Sequence, residues 1–469
     1  MESWDAIVIG GGVSGLCAAT ILAAAKKRVL VLERLGQIGG RATTHHQQIE
    51  GEEYRMDYGS FHAITMADQG ALGVVYEQGP GLDKLRLGSL QEGMTLFRAG
   101  RWLPMKELIQ GADRDDFKRI VNSMAAMSYQ EAEQWDNFSF DYWIRTLTNR
   151  QNVYDFFRAV VWVLATIPYP EEISAGEMII TMKMSMDCLH RLSSGTFGVG
   201  GSINLVGPLA EYVKANGGEI RTGKKIGKIL SKAGEITGVA IEQSVAGMDY
   251  HYPDTEVIKA PIVVCSLPIW DLFEYISEEV FPEWFVNIVR SYKSPLPFSD
   301  STIGTNFIMA EPVLKDTYHR VAFELPISKL SHQCSVVSAS DPTVAPPGRE
   351  WISAAGGYLR ESVRRDRSKI EAAFEAMEED FKLIYPEIYQ GRILAKRRRF
   401  ILVTDGLRRS PLYTGRHRLP HRAPGVGGLF FTGDTVQSRG VGIDMAARSG
   451  ILCAGAVLER EIPTFRPNK

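Results

Sequence analysis

The chain has 469 residues, of which 45% are hydrophobic and 23% are charged, and its formal net charge is -2. This composition is typical of a globular protein of about two or three domains, and it excludes a largely disordered chain and a strongly basic nucleic-acid-binding protein. The N-terminal residues lack the basic segment of a signal or transit peptide, and no apolar run is long enough to cross a bilayer. We therefore expect a cytoplasmic protein that at most touches a membrane surface.

The five cysteines are odd in number and widely spaced along the chain. Such spacing in a protein without a secretory signal indicates buried free thiols rather than disulfides or metal ligands. We therefore expect no metal site.

Near the N-terminus the sequence has the pattern of a strand, a tight glycine turn, a helix and a second strand. Residues 4–9 are a short apolar run, residues 10–15 read GGGVSG, and residues 16–25 are rich in alanine. Residues 28–32 form a second apolar run, which ends at Glu33. A βαβ unit with these features is typical of dinucleotide-binding proteins.

Each residue type in this pattern has a physical role at a dinucleotide. Gly10 permits the turn, Gly12 lets a pyrophosphate approach the backbone, and Gly15 lets the helix pack on the strand. The helix N-terminus faces the phosphate charge. Glu33 accepts hydrogen bonds from a ribose and would repel a 2′-phosphate. The sequence therefore predicts a dinucleotide without a 2′-phosphate.

Two further motifs follow this unit. Residues 34–43 read RLGQIGGRAT, and residues 56–62 read MDYGSFH. With these motifs the chain resembles the flavoprotein superfamily of monoamine and polyamine oxidases, protoporphyrinogen oxidase, phytoene desaturases, carotenoid isomerases and retinol saturase. The resemblance implies FAD as the dinucleotide. It also places the Gly39-Gly40-Arg41 turn near the ribityl-pyrophosphate arm, where glycines free the amides and Arg41 supplies a fixed cation.

The resemblance recurs near the C-terminus. Residues 428–434 read GLFFTGD, and residues 440–450 read GVGIDMAARSG before an apolar helix. The resemblance implies that Gly433 and Asp434 contact the ribityl-phosphate region and that Ile443 offers its backbone amide to the pyrimidine edge of the flavin. A helix N-terminus at that edge stabilises the negative charge of a reduced flavin.

A mid-chain segment, FGVGGS at residues 197–202 followed by a predicted helix and GGEI at residues 217–220, also resembles the superfamily. The resemblance implies that a backbone group near Ile226 meets the adenine. The complete set of expected FAD contacts is Gly10, Gly12, Val13, Ser14, Gly15, Glu33, Arg34, Gly39, Gly40, Arg41, Tyr58, Gly59, Ser60, Ile226, Gly433, Asp434, Gly442 and Ile443.

These motifs predict an α/β fold with a discontinuous, Rossmann-like FAD-binding domain and a mixed α/β substrate-binding cap domain. We assign residues 1–65, 195–270 and 400–460 to the FAD-binding domain. Residues 66–194 and 271–399 are assigned to the substrate-binding domain.

Two apolar features stand out in the cap. Residues 159–168 are its most apolar run, and Met178, Met182 and Met186 recur on one predicted helical face. Both features are consistent with core packing and with an apolar substrate channel. Peripheral membrane contact through residues 159–168 stays open, although no Lys- or Arg-rich face lies beside them.

The candidate catalytic residue is His62. The resemblance places its segment along the flavin face, and histidine exchanges a proton near neutral pH. A structural role for His62 stays open beside the catalytic one. Tyr58 and Arg439 are further candidates for lining the same cavity.

The resemblance favours an oxidoreductase that dehydrogenates, desaturates or saturates an apolar or alicyclic substrate, with an electron acceptor that the sequence does not specify. A flavin amine oxidase is the alternative, but residues 301–309 lack the cap lysine of those enzymes. No cysteine follows Gly433-Asp434 where some members attach the flavin, which predicts non-covalent FAD. Rab GDP-dissociation inhibitors resemble this fold but depart at the Gly-Gly-Arg turn, so a non-enzymatic lipid-binding module is the second alternative.

Overall fold

The computed structural model describes residues 3–58, 65–91, 93–192, 195–244, 251–293, 301–314, 316–403 and 406–467. The strands are β1 (Ala6–Ile9), β2 (Val29–Leu32), β3 (Thr44–Ile49), β4 (Glu52–Asp57), β5 (Met94–Arg98), β6 (Arg101–Pro104), β7 (Glu219–Arg221), β8 (Ile226–Lys232), β9 (Glu235–Ser244), β10 (His251–Lys259), β11 (Val263–Cys265), β12 (Ser301–Met309), β13 (His319–Ala322), β14 (His332–Val336), β15 (Glu350–Leu359), β16 (Ile393–Ile401) and β17 (Leu429–Phe431). The helices are α1 (Val13–Ala24), α2 (Ala71–Gln78), α3 (Met105–Leu108), α4 (Ala112–Ala126), α5 (Tyr129–Glu133), α6 (Phe140–Leu147), α7 (Gln151–Ala165), α8 (Ala175–Leu189), α9 (Gly207–Ala215), α10 (Glu283–Ser291), α11 (Val337–Ser340), α12 (Glu361–Arg364), α13 (Arg367–Ile384), α14 (Pro386–Gln390) and α15 (Gly442–Leu458).

A parallel sheet in the order β17-β11-β1-β2-β7 joins strands from both ends and the middle of the chain. Its strands β1 and β2 are buried throughout, as expected for parallel strands covered on both faces. Successive side chains of β1 point to opposite faces of the sheet and pack against different layers. Ala6 and Val8 pack with helices α1, α9 and α15, whereas Ile7 and Ile9 pack with the β8–β10 sheet and α10. The result is the Rossmann-like three-layer arrangement that the sequence predicts.

Helix α1 packs closely on β1 because Gly15 has no side chain. A Cβ atom added at Gly15 would lie 2.1 Å from the carbonyl oxygen of Gly10. The helix is buried on all sides from Val13 to Ala23, which explains its uniformly apolar sequence. Its start is therefore held rigidly at the end of β1.

A mixed sheet in the order β16-β12-β15-β14-β13-β5-β6 forms the centre of the second part of the protein. One face packs against α13 through residues such as Phe307 and Phe381. The opposite face meets α7, where Val321 and Trp162 share a core. This mixed α/β part corresponds to the cap that the sequence predicts.

Two helices from the ranges assigned to the substrate-binding domain pack instead on the layers of the parallel sheet. Helix α2 contributes Leu72 and Val75 to the same core as α1. Helix α10 contributes Phe285 and Val289 to the core on the other side of the sheet. Their apolar faces are consistent with packing in either domain, so only the tertiary structure reveals which sheet they cover.

All five cysteines are buried and free, as expected. Burial raises the pKa of the Cys265 and Cys334 thiols to about 12, so neither forms a thiolate at neutral pH. Among the described helices, none is both long enough and apolar enough to cross a membrane.

Two buried histidines of the cap sheet make stability dependent on pH. Burial lowers the pKa of His319 to about 4 and that of His332 to about 3, against 6.5 in an unfolded chain. Below pH 6.5 these histidines bind protons in the unfolded chain but stay neutral in the folded protein. The free energy of unfolding therefore falls as the pH drops from 6.5. The expected loss is about 1.4 kcal/mol per pH unit for each histidine.

Urea unfolding at pH 7, 6 and 5 checks this prediction. His332→Leu removes one titrating group and should flatten the pH dependence below pH 6.5, whereas His45→Leu at an exposed position of β3 should leave it unchanged. Equal slopes for the wild type and His332→Leu would show that His332 is protonated in the folded state.

Candidate functional site

A continuous cavity of about 1120 Å³ lies at the carboxyl ends of the parallel strands. Ile9 and Leu32 line it at the ends of β1 and β2, and Ser266 and Gly433 line it just beyond β11 and β17. Open parallel sheets bind ligands at this edge. The volume exceeds the roughly 300–1,000 Å³ of a typical small-molecule pocket, so the cavity has room for more than one ligand.

The turn from β1 to α1 presents backbone to this cavity. Gly10, Gly12, Val13 and Ser14 line it, and a Cβ atom added at Gly12 would meet no atom within 4 Å. Helix α1 has neither a capping side chain nor an acidic residue in its first turn. Its first amides lack partners within the helix. The site therefore fits an anionic phosphate.

Glu33 is held at the cavity wall by two backbone amides. Its carboxylate oxygens accept hydrogen bonds from the amides of Gly11 and Leu35, each at 2.8 Å. The side chain is buried, and the residue lines the cavity. Because a carboxylate oxygen accepts more than one hydrogen bond, Glu33 can also bind ribose hydroxyls.

The N-terminal and C-terminal motifs meet in an ion pair. Arg41 Nη2 lies 2.5 Å from Asp434 Oδ2, which also accepts a hydrogen bond from the amide of Gly406 at 2.8 Å. Burial alone would raise the pKa of Asp434, but Arg41 and the Gly406 amide hold it below its usual value. A Cβ atom added at Gly433 would lie 3.8 Å from Ser14 Oγ. The two motifs therefore lie side by side at the cavity wall.

Helix α15 begins at the same cavity. Gly442 and Ile443 line it, and the helix has no side-chain cap. Asp444 is turned away, since its Oδ2 accepts hydrogen bonds from the amide and hydroxyl of Thr65 at 2.8 and 2.7 Å. The first amides of α15 therefore remain available to a ligand that carries partial negative charge.

The structure places most of the expected FAD contacts along this one cavity. The lining residues among them are Gly10, Gly12, Val13, Ser14, Glu33, Arg34, Gly39, Gly40, Arg41, Tyr58, Ile226, Gly433, Asp434, Gly442 and Ile443. Gly15 lies behind them, where its lack of a side chain serves helix packing. Gly59, Ser60 and His62 lie outside the described residues.

The cap end of the cavity is mainly apolar. Helix α7 provides Phe156, Val160, Val163 and Leu164, so residues 159–168 both line the cavity and contribute to the core. The methionines on the predicted helical face of α8 differ, because they are buried in the core of helices α4–α8 and do not line the cavity.

Arg439 does not line the cavity, contrary to the expectation from sequence. Its guanidinium binds both carboxylate oxygens of Asp136 at 2.9 and 2.8 Å and lies 3.1 Å from Glu177. Asp136 and Glu177 are fully buried. The cationic side chain is drawn away from the apolar cavity because these buried carboxylates need a counter-charge.

Further lining residues lie outside the expected FAD contacts. Those of the cap, His319 and Gln333, carry no motif by which the sequence alone would reveal them, whereas Ser266 lies near the end of a run, residues 259–268, that reads as a buried strand returning to the nucleotide. Ser266 follows β11 and forms a 2.9 Å hydrogen bond with Ser14 across the cavity wall. His319 and Gln333 line the cap end from β13 and β14. Only the pairing of distant strands brings these positions to the cavity.

Comparison with known proteins assigns the chain to a family. The family model described as flavin containing amine oxidoreductase matches residues 13–458. The chain therefore belongs to the flavin containing amine oxidoreductase family, within the superfamily that also contains phytoene desaturases. It is a flavin-dependent oxidoreductase by that membership.

Individual relatives are distant but extend along nearly the whole chain. Prolycopene isomerase 1, chloroplastic, of an Oncidium hybrid cultivar is 23% identical and matches 99% of this chain and 86% of its own length. An oxidoreductase from Methanosarcina mazei has 19% identity and a TM-score of 0.74 over 97% of this chain and all (100%) of its own. A putrescine oxidase double mutant has 14% identity and a TM-score of 0.65 over 98% and 100%. These structural similarities show a shared fold.

Proposed function

We propose that the protein binds FAD non-covalently and dehydrogenates, desaturates or saturates a neutral apolar or alicyclic substrate. The observation that carries the proposal is the ion pair between Arg41 and Asp434, because it brings motifs from opposite ends of the chain to one glycine-lined cavity. The FAD-binding domain would comprise residues 1–65, 195–270 and 400–460, extended by α2 and α10.

The lining residues have matching roles toward this cofactor. Glu33 would bind the ribose, and the first amides of α1 together with Arg41 would bind the pyrophosphate. Asp434 would bind the ribityl chain, and the start of α15 would lie at the pyrimidine edge. Bound FAD supplies a hydride acceptor at N5. The chain has no cysteine at the position where some members of the superfamily attach the flavin. The site would therefore hold FAD by these non-covalent contacts alone.

The cavity wall favours a neutral substrate over an amine. The acidic residues among its described lining are Glu33, Asp271 and Asp434, and each follows a strand of the parallel sheet. No carboxylate lines the cap end among those residues, so a buried ammonium would lack a counter-charge there. The apolar side chains of α7 instead bind a hydrocarbon skeleton and exclude water. The similarity to prolycopene isomerases is consistent with such a skeleton.

The flavin spectrum of the purified protein tests the cofactor. We expect a yellow protein whose flavin is released by denaturation and is identified chromatographically as FAD. A colourless protein that cannot be reconstituted with FAD would instead favour a non-enzymatic lipid-binding module. Flavin that stays with the denatured chain would show covalent attachment.

Anaerobic mixing tests the substrate class. We expect an alicyclic ketone or alkene either to bleach the oxidised flavin, if it is dehydrogenated, or to restore the absorbance of chemically reduced flavin, if it is saturated. Putrescine should do neither. If only the amine bleaches the flavin, the protein is an amine oxidase.

A further inference from the structure

The cap end of the cavity contains a chain of hydrogen bonds with a defined direction. Gln91 Nε2 donates to Ser335 Oγ at 2.8 Å, and Ser335 Oγ lies 2.8 Å from His319 Nδ1. His319 Nε2 lies 3.0 Å from Gln333 Oε1. Gln91, His319 and Gln333 all line the cavity.

Chemistry fixes which atoms donate along this chain. Gln333 Oε1 only accepts hydrogen bonds, so His319 Nε2 must carry a proton. Burial lowers the pKa of His319 to about 4, so the ring is neutral and its Nδ1 accepts a proton from the Ser335 hydroxyl. The series of hydrogen bonds therefore ends at Gln333. Its Oε1 accepts from His319, and its Nε2 makes no bond in the series.

The amide nitrogen of Gln333 has no acceptor among the described residues. Gln333 as a whole residue has a relative exposure of 4%, and it lines the cavity. An amide donor at a cavity wall that has no acceptor in the protein can bind an acceptor on a ligand.

A glycine in the neighbouring strand β15 leaves room for the Gln333 side chain at the cavity wall. Gly356, at an irregularity in the pairing of β12 and β15, has a φ of 106°. A Cβ atom added there would lie 3.0 Å from both Gln333 Cγ and Trp162 Cζ2. Because Gly356 has no side chain, Trp162 of α7 and the side chain of Gln333 can both pack against its backbone.

We propose that Gln333 binds a neutral oxygen acceptor, such as a carbonyl, on an otherwise apolar substrate. The proposal rests on the proposed function, because it concerns the substrate of the same cavity. It narrows the substrate class from neutral apolar or alicyclic molecules to those that carry at least one oxygen. Gln333 would be a specificity-determining residue, oriented by His319 and Ser335.

Matched probes test this proposal. The affinities of 4-phenylcyclohexanone and phenylcyclohexane are measured by saturation-transfer NMR on the purified full-length protein. In the wild type, the ketone should bind about tenfold more tightly than the hydrocarbon, because only the ketone satisfies the buried amide. Gln333→Leu should bring this ratio close to one, whereas Gln48→Leu on the exposed part of β3 should leave it unchanged.

The remaining outcomes are also decisive. Should Gln333→Leu fail to fold, Gln333→Met carries the same expectation, and melting temperatures identify which variant is folded. A wild-type ratio near one overturns the proposal. Stronger binding of 4-phenylcyclohexanecarboxylate that is lost in Lys106→Met also overturns it, because the recognised group would then be an anion.

Failure of this proposal is distinguishable from failure of the proposed function. The flavin absorbance of the same samples reports on the cofactor. Protein without flavin but with a Gln333-dependent ratio would contradict only the proposed function. Flavin-containing protein with a ratio near one would contradict only the role of Gln333.

Discussion

Replacing Gly12 with alanine is expected to leave the protein folded but to remove its flavin. Gly12 has a φ of -80°, which alanine adopts without strain, and the added Cβ would meet no protein atom within 4 Å. The same methyl group would occupy the space that a pyrophosphate needs beside the first amides of α1. Overpacking of this kind costs about 1–3 kcal/mol, so FAD affinity should fall by about fivefold to about 150-fold.

Two other glycines provide matched controls for Gly12→Ala. Gly15→Ala places its Cβ 2.1 Å from the Gly10 carbonyl oxygen, so it should lower the melting temperature and the flavin content together. Gly207→Ala, at the first position of α9, should preserve the flavin, because an added Cβ there meets no atom within 4 Å apart from its chain neighbours. The measurements are the ratio of flavin to protein and thermal unfolding. Full flavin content in Gly12→Ala would refute the assignment of the pyrophosphate site.

Replacing Arg439 with methionine is expected to produce the largest loss of stability, about 3–5 kcal/mol, since it removes the cation that two buried carboxylates share. Among the residues that the structure describes, Asp136 would keep one ion pair, with Arg416 at 3.0 Å. Within the described part of the chain, the Glu177 carboxylate would keep the hydrogen bond from the Gly415 amide. The cluster joins α8 of the cap to the loop that precedes α15, so this loss should weaken the connection between the two parts.

Urea unfolding measures the effect of Arg439→Met. The double variant Arg439→Met/Glu177→Gln should recover part of the loss, because Glu177 no longer carries an uncompensated charge. Arg460→Met, at an exposed position, should change stability by less than about 0.5 kcal/mol. A similarly small effect of Arg439→Met would contradict a structural role for this cluster.

The N-terminal part of the site follows from local sequence. Gly10, Gly12, Gly15 and Glu33 lie within one βαβ unit, whose short turns fix their relative positions. The C-terminal part needed the family resemblance. Arg41 and Asp434 are 393 residues apart, and their spacing contains no information about contact.

The cap end of the site is beyond prediction from sequence alone. Gln333, Ser335 and His319 lie together because β14 pairs with β13 in one particular register, with Cys334 opposite Arg320. A shift by one residue would turn Gln333 and Ser335 to the opposite face. Nothing local in residues 332–336 specifies that register.

Arg439 illustrates a different limit. A charged residue shortly before the flavin-side helix is consistent with a cavity-lining role, but its position depends on two acids more than 250 residues earlier in the chain. Their burial decides where the guanidinium lies. Local motifs therefore predict the backbone of the cofactor site better than its charged side chains.

A crystal structure of the flavin-loaded protein tests the central claim most directly. We expect density for one FAD that extends from Glu33, past Gly12 and the Arg41–Asp434 pair, to the start of α15. Density for the cofactor elsewhere in the protein, or side chains that fill the space between Gly12 and Gly433, would contradict the account.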